Sequence, residues 1–260
     1  MWNYLLTNCF VFFSSYLLIS VSESRKWPSQ FPRCYRDDPQ LNKCILEATR
    51  TMKHFLMKGI TEFNFPPISP FYVPEVHIHQ GGPNDSVSFN LTLKDVVITG
   101  FDSYEFEKFD FDPKTLQFDS ELKMGALNFK AKYVVNGKVL TIPLDGKGNM
   151  NFTITTSSGT LKQNASLTTR KGQKYLTLHP PSIHIDVGDV TDPHYDGLFD
   201  GNEVLAKAVE KVLQDYQKEL GEEMKPTAEK IIEQIIYDLQ QKLQSRLPYD
   251  EVYPVHEQGL

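Results

Sequence analysis

Residues 226–243 read PTAEKIIEQIIYDLQQKL, with apolar side chains repeating at helical spacing. Pro226 suits the first position of a helix, and Pro248 ends the pattern. The apolar residues would form a wide stripe about 30 Å long at the rise of an α-helix. Such a stripe can be core packing alone, but a helix of this length needs an equally long surface to lie against.

Two further helices are predicted on either side of the middle of the chain. Asn202 can cap a helix that carries Leu205, Val209 and Leu220 and ends at Gly221. Near the start, Asp38 and Pro39 predict the beginning of a helix that Gly59 would end.

Between residues 86 and 186 the pattern is typical of β-strands. Turn signals recur at Asn136-Gly137, Asp145-Gly146, Ser158-Gly159 and Lys171-Gly172. Closely spaced turns predict an antiparallel, meandering sheet. The prolines between residues 66 and 74 argue against a central strand there, and alternation begins at Val76.

These elements together predict an α+β fold in which a highly curved antiparallel β-sheet wraps the long C-terminal helix. A sheet wrapped around a helix leaves space along the helix that side chains must fill or a ligand can occupy.

Four Asn-X-Ser/Thr acceptor sites for glycans occur in the chain. They are Asn84, Asn90, Asn151 and Asn164. A glycan must project into solvent, so alternation places apolar residues on the opposite face of three strands. The inward residues would be Val87, Phe89, Leu91 and Leu93, then Met150, Phe152 and Ile154, and finally Leu161, Ala165 and Leu167.

Residues 1–22 hold an apolar run that favours a secretory signal peptide, with an uncleaved membrane anchor as the alternative. The run has about 14 residues, fewer than the 18 or more of a spanning helix. We therefore expect a secreted, extracellular chain with no stable membrane insertion. Residues 23–260 would form a single domain, although two joined lobes would also fit.

Cleavage of the signal peptide would remove Cys9 and leave Cys34 and Cys44. An even pair in an oxidising compartment predicts a disulfide. The formal net charge of −6 and the lack of a basic cluster argue against binding to nucleic acid.

Motifs for chemistry are weak. The sequence contains neither a Gly-x-Ser-x-Gly elbow nor a glycine-rich phosphate loop, which argues against an enzyme, and nothing in it calls for a cofactor. Residues 192–203 partly match a calcium loop, but a histidine and a proline in it favour a turn that caps the next helix. His77 and His79 share a strand face and could chelate zinc, yet surface histidines explain them better, so we predict no metal site.

Three blocks of sequence resemble the takeout and juvenile hormone-binding protein family of insects, on its takeout-like branch. They are Cys34 and Cys44 with the helix up to Gly59 and the prolines that follow it; residues 197–202, GLFDGN; and residues 248–254, PYDEVYP. The resemblance covers nearly the whole chain after the apolar run. It implies an elongated tubular lipid-binding fold, a bridged Cys34–Cys44 pair and a hydrophobic small-molecule ligand such as a terpenoid hormone or a lipid.

Our first hypothesis is thus a carrier glycoprotein of insect haemolymph that encloses its ligand in an apolar tunnel. The tunnel lining would include Phe89, Leu91, Met150, Phe152, Ile154, Leu161, Ile231, Ile235 and Leu239. The alternative is a glycosylated interaction protein with a packed core, acting through its surface and an acidic tail at Asp250, Glu251 and Glu257. A hydrolase has the least support. The sequence does not identify a receptor or transfer partner.

Overall fold

The structure is a computed structural model that describes residues 26–256 apart from residues 83, 141 and 245, and the backbone but not the side chain of Asp200. The helices in this part of the chain are α1 (Leu41–Lys58), α2 (Glu203–Asp215), α3 (Gln217–Gln244) and α4 (Tyr249–Val252). The strands are β1 (Phe71–Gln80), β2 (Val87–Thr99), β3 (Glu105–Asp112), β4 (Gln117–Met124), β5 (Leu127–Val139), β6 (Ile142–Ile154), β7 (Ser157–Arg170), β8 (Gln173–Leu178), β9 (Ser182–Val187) and β10 (Val190–Tyr195).

The described strands form two antiparallel sheets of five strands each. The first has the order β1-β2-β5-β6-β10, and the second has the order β3-β4-β7 with β8 and β9 both paired to β7. The predicted fold class is confirmed: the protein is α+β, with a long C-terminal helix and a curved antiparallel sheet.

The chain passes from one sheet to the other at four short connections. These are residues 100–104, 125–126, 155–156 and 188–189, which we call the crossing line. Backbone and side-chain hydrogen bonds join neighbouring connections: Gly125 N donates to Ser103 Oγ at 2.9 Å, and Thr155 N donates to Asp189 O at 3.0 Å. The two sheets are therefore joined along this line by the connections and by the hydrogen bonds between them.

Helix α3 is longer than predicted, because it begins at Gln217 and not at Pro226. The predicted helix end at Gly221 was wrong, since α2 stops at Asp215 and Gly221 lies inside α3. Glycine and proline cost a helix interior about 1 and 3 kcal/mol respectively. Packing of Leu220 and Met224 against a buried cluster helps to offset that cost.

Three of the four predicted turns were wrong. Asn136-Gly137, Asp145-Gly146 and Ser158-Gly159 lie inside strands β5, β6 and β7, and only Lys171-Gly172 connects two strands. Gly137 is required by close strand packing: a Cβ there would lie 2.2 Å from the carbonyl oxygen of Ser88 on β2. The reversal between β5 and β6 falls just beyond, where Val139 pairs with Ile142.

Strand β1 starts at Phe71, earlier than the predicted alternation from Val76, and includes Pro74. The proline is tolerated because β1 is an edge strand, paired only with β2 among the described strands. Helix α1 starts at Leu41, slightly after the predicted Asp38–Pro39 start, and Gly59 ends it as predicted.

The Cys34–Cys44 disulfide is confirmed, with 5.7 Å between the Cα atoms. It joins the segment before α1 to the first turn of that helix. Three buried clusters form the core. The disulfide cluster surrounds Cys34, Phe111 and Tyr249; the α2 cluster surrounds Val87, Phe89, Tyr133 and Val209; and the α1 cluster surrounds Phe31, Phe63, Phe65 and Leu247.

Candidate functional site

One side of helix α3 covers the edge of the second sheet. Backbone N–H groups of β9 donate to its carboxylates, Ile183 to Glu233 Oε1 at 3.0 Å and Ile185 to Glu229 Oε1 at 3.1 Å. These groups lie on the edge of β9 that is not paired to β7, so the helix satisfies donors that an uncovered edge would leave to solvent.

Another side of α3 reaches the edge of the first sheet. Thr227 Oγ1 donates to Gln80 Oε1 at 2.9 Å, and Gln80 Nε2 donates to the carbonyl oxygen of Glu223 at 3.3 Å. Gln80 is the last residue of β1. Helix α3 is thus hydrogen-bonded to β1 on one side and to β9 on the other.

The inward face of α3 carries Ile232 and Ile236. At 3.6 residues per turn, these isoleucines lie between the side of the helix that contacts β1 through Thr227 and the side that contacts β9 through Glu229 and Glu233. Gln234 lies on the opposite, exposed face. Both isoleucines are only half-buried, and none of the described side chains of α3 is fully buried. The rest of the described protein therefore covers the inward apolar face of α3 only in part.

The isoleucine segment, residues 231–236, lies between two packed regions. Leu220 and Met224 pack against the α2 cluster, and Leu239 and Leu243 pack against the α1 cluster. The isoleucines of the segment belong to none of the clusters formed by the described residues. From Met224 to Leu239 the helix rises about 22 Å, which is the length of α3 that spans from one packed region to the other.

The strands opposite provide an apolar wall. Phe129 of β5 and Phe152 of β6 are directly paired, and their rings stack with centroids 4.8 Å apart. Leu91 and Leu93 of β2 and Met150 of β6 are half-buried and pack against the α2 cluster. Burial raises the pKa of Tyr133 near this wall to about 12, and its hydroxyl donates to the carbonyl oxygen of Asp196.

The family profile described as Haemolymph juvenile hormone binding protein (JHBP) matches residues 9–254. The chain belongs to this family.

Two fruit-fly proteins named circadian clock-controlled protein daywake are similar to this member of the juvenile hormone binding protein family. The Drosophila yakuba protein is 24% identical over 241 residues, covering 90% of each chain. The Drosophila melanogaster protein is 25% identical over 247 residues, covering 92% of this chain and 93% of the relative. The crystal structure of Epiphyas postvittana Takeout 1 superposes with a TM-score of 0.72 at 18% identity, covering 86% of this chain and 100% of that one, which establishes the shared fold.

In this family member the predicted lining residues are spread along the interior. Phe89 is fully packed within the α2 cluster, at 7% exposure. The others are half-buried: Leu91, Met150, Phe152, Ile154, Leu161, Ile231, Ile235 and Leu239. The structure brings Phe89, Leu91 and Met150 together in the α2 cluster and places Leu239 against the α1 cluster.

Sequence reasoning missed several residues of this site. Ile232 and Ile236 face inward between the two fastened sides of α3, whereas Ile231 and Ile235 follow Thr227 toward the β1 side. Glu229 and Glu233 were also missed, although carboxylates four residues apart inside an apolar stripe were a visible signal. Gln163 was missed as well, a polar residue on the inward face between Leu161 and Ala165.

Several residues considered for metal binding have other partners. Asp196 Oδ1 accepts a hydrogen bond from Asn149 N at 2.6 Å. In the same stretch Asn202, which was predicted as a helix cap, accepts hydrogen bonds at Oδ1 from Val204 N and Leu205 N. His77 and His79 are exposed and contact Thr92 and Asn90 across β1 and β2. Within the described residues, no group of three or more histidine, cysteine or acidic side chains could hold a metal ion.

The four glycan acceptor residues are all exposed: Asn84, Asn90, Asn151 and Asn164. Of the residues expected opposite them, Leu167 departs from the pattern because it is 38% exposed near the end of β7. The predicted signal peptide, residues 1–22, lies outside the described residues. In the part of the chain that is described, no helix is long and apolar enough to cross a membrane.

Proposed function

We propose that this protein is a secreted, non-enzymatic carrier that binds one extended hydrophobic molecule between α3 and the two sheets. The observation that carries the proposal is the half-buried state of Ile232 and Ile236 on a helix fastened to sheet edges on both sides. Membership of the juvenile hormone binding protein family supports it. Phe89, Leu91, Met150, Phe152, Ile154, Leu161, Ile231, Ile235 and Leu239 are proposed to line or support the tunnel together with the two inward isoleucines.

Burial supplies the affinity in this proposal. Each buried methylene contributes about 0.8 kcal/mol, so an eight-carbon stretch gains roughly 6 kcal/mol before the costs of association. The strand walls and the isoleucine segment are apolar, which suits a terpenoid or a lipid chain better than a polar metabolite.

Secretion is part of the proposal and rests on the apolar run of residues 1–22. Expression in insect cells tests it, because the protein recovered from the medium should begin close to residue 23. Retention in the cell membrane with residues 1–22 intact would contradict it. We also expect glycans on the secreted protein at the acceptor sites, so treatment with a glycosidase should lower its mass. The acceptor sites are Asn84, Asn90, Asn151 and Asn164.

The tunnel is tested by filling it. Replacing Ile236 with Trp adds a large ring on the inward face of α3, and binding of an apolar fluorescent probe should fall about tenfold or more because ligand and ring compete for the same space. The matched control is Gln234→Trp on the exposed face of the same helix, which should leave probe binding unchanged.

Mass spectrometry of gently purified protein should also find a co-purified lipid in the wild type and less of it in Ile236→Trp. A wild-type protein that carries no lipid and binds no apolar probe would overturn the carrier proposal. It would favour the alternative of an interaction protein with a packed core.

A further inference from the structure

Gln163 is a buried polar residue on the inner face of β7, with 4% of its surface exposed. Its Nε2 group donates to the carbonyl oxygen of His179 and to Gln240 Oε1, both at 2.8 Å. Burying an amide in an apolar setting is costly unless its groups are paired. The pair joins β7 directly to α3 and uses both N–H groups of Gln163. Among the described residues, the side-chain carbonyl of Gln163 and the NH₂ group of Gln240 have no hydrogen-bond partner.

The Gln163–Gln240 pair adjoins the isoleucine segment. Gln240 lies one turn after Ile236 on α3, and Gln163 follows Leu161 on the same face of β7. The pair therefore lies between the isoleucine segment and the disulfide cluster, since Gln163 is the strand partner of Phe118, a member of that cluster.

Ser120 and Gln244 add to the polar groups of this region. Ser120 of β4 is 2% exposed, is paired with Leu161, and is a diagonal neighbour of Gln163, about 7–8 Å away between Cα atoms. Gln244 lies one turn after Gln240, and its Oε1 is buried without a partner among the described residues. We call these four side chains the glutamine site: Ser120, Gln163, Gln240 and Gln244.

The glutamine site offers hydrogen-bond donors and acceptors but no charge. Glu233 lies about two turns before Gln240 on α3, and its carboxylate accepts the N–H of Ile183, the residue that pairs with Leu161 on β7. A ligand carboxylate here would be buried without a cation among the four side chains, which is costly. An uncharged hydroxyl or carbonyl could pair with the amides and the hydroxyl.

We propose that the glutamine site binds the polar end of the ligand and selects molecules with an uncharged hydroxyl or carbonyl end over carboxylates of the same length. The inference rests on the proposed carrier function, because it places the rest of the ligand along the isoleucine segment. The tunnel would then limit the length of the ligand, and the glutamine site would select the chemical group at its end.

A displacement assay with three ligands of equal chain length tests the inference: a primary alcohol, the corresponding carboxylate at neutral pH, and the alkane. The alcohol should displace an apolar fluorescent probe at about tenfold lower concentration than either of the others, the ratio expected for about one good hydrogen-bonded contact. Equal displacement by all three would overturn the glutamine site but leave the carrier. Tighter binding of the carboxylate would also overturn it.

Two variants test whether the preference for the alcohol comes from the glutamine site. Gln240→Met keeps the length of the side chain and leaves the bond from Gln163 to His179 in place, and it should abolish the preference for the alcohol. Gln234→Met, the same change on the exposed face of α3, should keep the preference. If Gln240→Met fails to fold by circular dichroism, Ser120→Ala provides the second variant and should reduce the preference.

A preference unchanged in the folded Gln240→Met and Ser120→Ala proteins would contradict the assignment. Failure of the probe itself to bind the wild type would contradict the carrier proposal, so the two failures are distinguishable.

Discussion

Gly137 lies in the middle of β5, where it faces the backbone of β2. Its neighbour Asn136 made the dipeptide look like a turn, because glycine is favoured both in turns and where two strands approach closely. Sequence alone does not separate these two uses, since the deciding contact is with Ser88, about fifty positions earlier in the chain. The same limit applies to Gln163, whose partners His179 and Gln240 are distant in sequence.

Gly137→Ala should destabilise the protein. The new Cβ would lie 2.2 Å from Ser88 O at a φ of +152°, so the strands must separate, and we expect a loss of about 1–3 kcal/mol in the free energy of unfolding. Urea denaturation followed by circular dichroism measures this loss.

The matched control is Gly221→Ala. Gly221 lies inside α3, and a methyl group added there would meet none of the described atoms within 4 Å, so alanine should raise the free energy of unfolding by roughly 0.5–1 kcal/mol. Equal shifts in the same direction for both variants would show that close strand packing does not decide the role of Gly137.

Among the elements, α3 was correctly predicted as a long helix with an apolar stripe, but its first residue was placed too late. Periodicity identifies the apolar stripe, but it cannot show that packing of Leu220 and Met224 carries the helix through Gly221 and Pro226. The inward face could also not be chosen from the sequence, because the stripe is wide. The hydrogen bonds to β1 and β9 decide which isoleucines face the interior.

The contact between α3 and β9 predicts an exchange experiment. Replacing Glu229 and Glu233 together with Ala removes the acceptors for the N–H groups of Ile185 and Ile183. Hydrogen exchange of these two amides should quicken, and the free energy of unfolding should fall by about 1–3 kcal/mol.

The control for this experiment replaces Gln234 and Asp238, a hydrogen-bonded pair on the exposed face of α3, with Ala. It should leave the exchange of Ile183 and Ile185 unchanged. Slow exchange of both amides in the Glu229/Glu233 variant would mean that other groups protect the edge of β9.

At the scale of the whole molecule, hydrogen bonds join the N-terminal and C-terminal segments of the described chain. Arg36 N donates to the carbonyl oxygen of Pro254 at 2.9 Å, and Arg36 Nη1 donates to Asp250 Oδ1 and to the carbonyl oxygen of Tyr253. The ring of His256 stacks on Tyr35 at 4.1 Å. Residues 248–254, which carry part of the family resemblance, thus have a structural role that no local pattern reveals.

The terminal contact should depend on pH. Burial acts to raise the pKa of Asp37, but hydrogen bonds from the backbone N–H and ring of His256 outweigh it and hold the pKa below its usual value. Its contribution to stability is then present above the unfolded pKa of about 3.9 and is lost as pH falls through the lower folded value.

Asp37→Asn should therefore lower Tm at pH 7, and the difference from the wild type should be smaller at pH 3, because the contribution begins to be lost below the unfolded pKa of about 3.9. Differential scanning calorimetry at the two pH values measures it. Asp102→Asn, at an exposed position away from the termini, should match the wild type at both. A difference that persists unchanged at low pH would show that the Asp37 carboxylate does not carry the effect.

The crossing line has a consequence for how such a molecule changes size. Because short connections join the strands of one sheet to those of the other, residues added in register near the crossing line would lengthen the wall that the two sheets form by about 3.3 Å per residue. Helix α3 could follow with about two residues for each one added to a strand, given its rise of about 1.5 Å. Insertions and deletions at the four short connections would therefore change the length of the whole molecule.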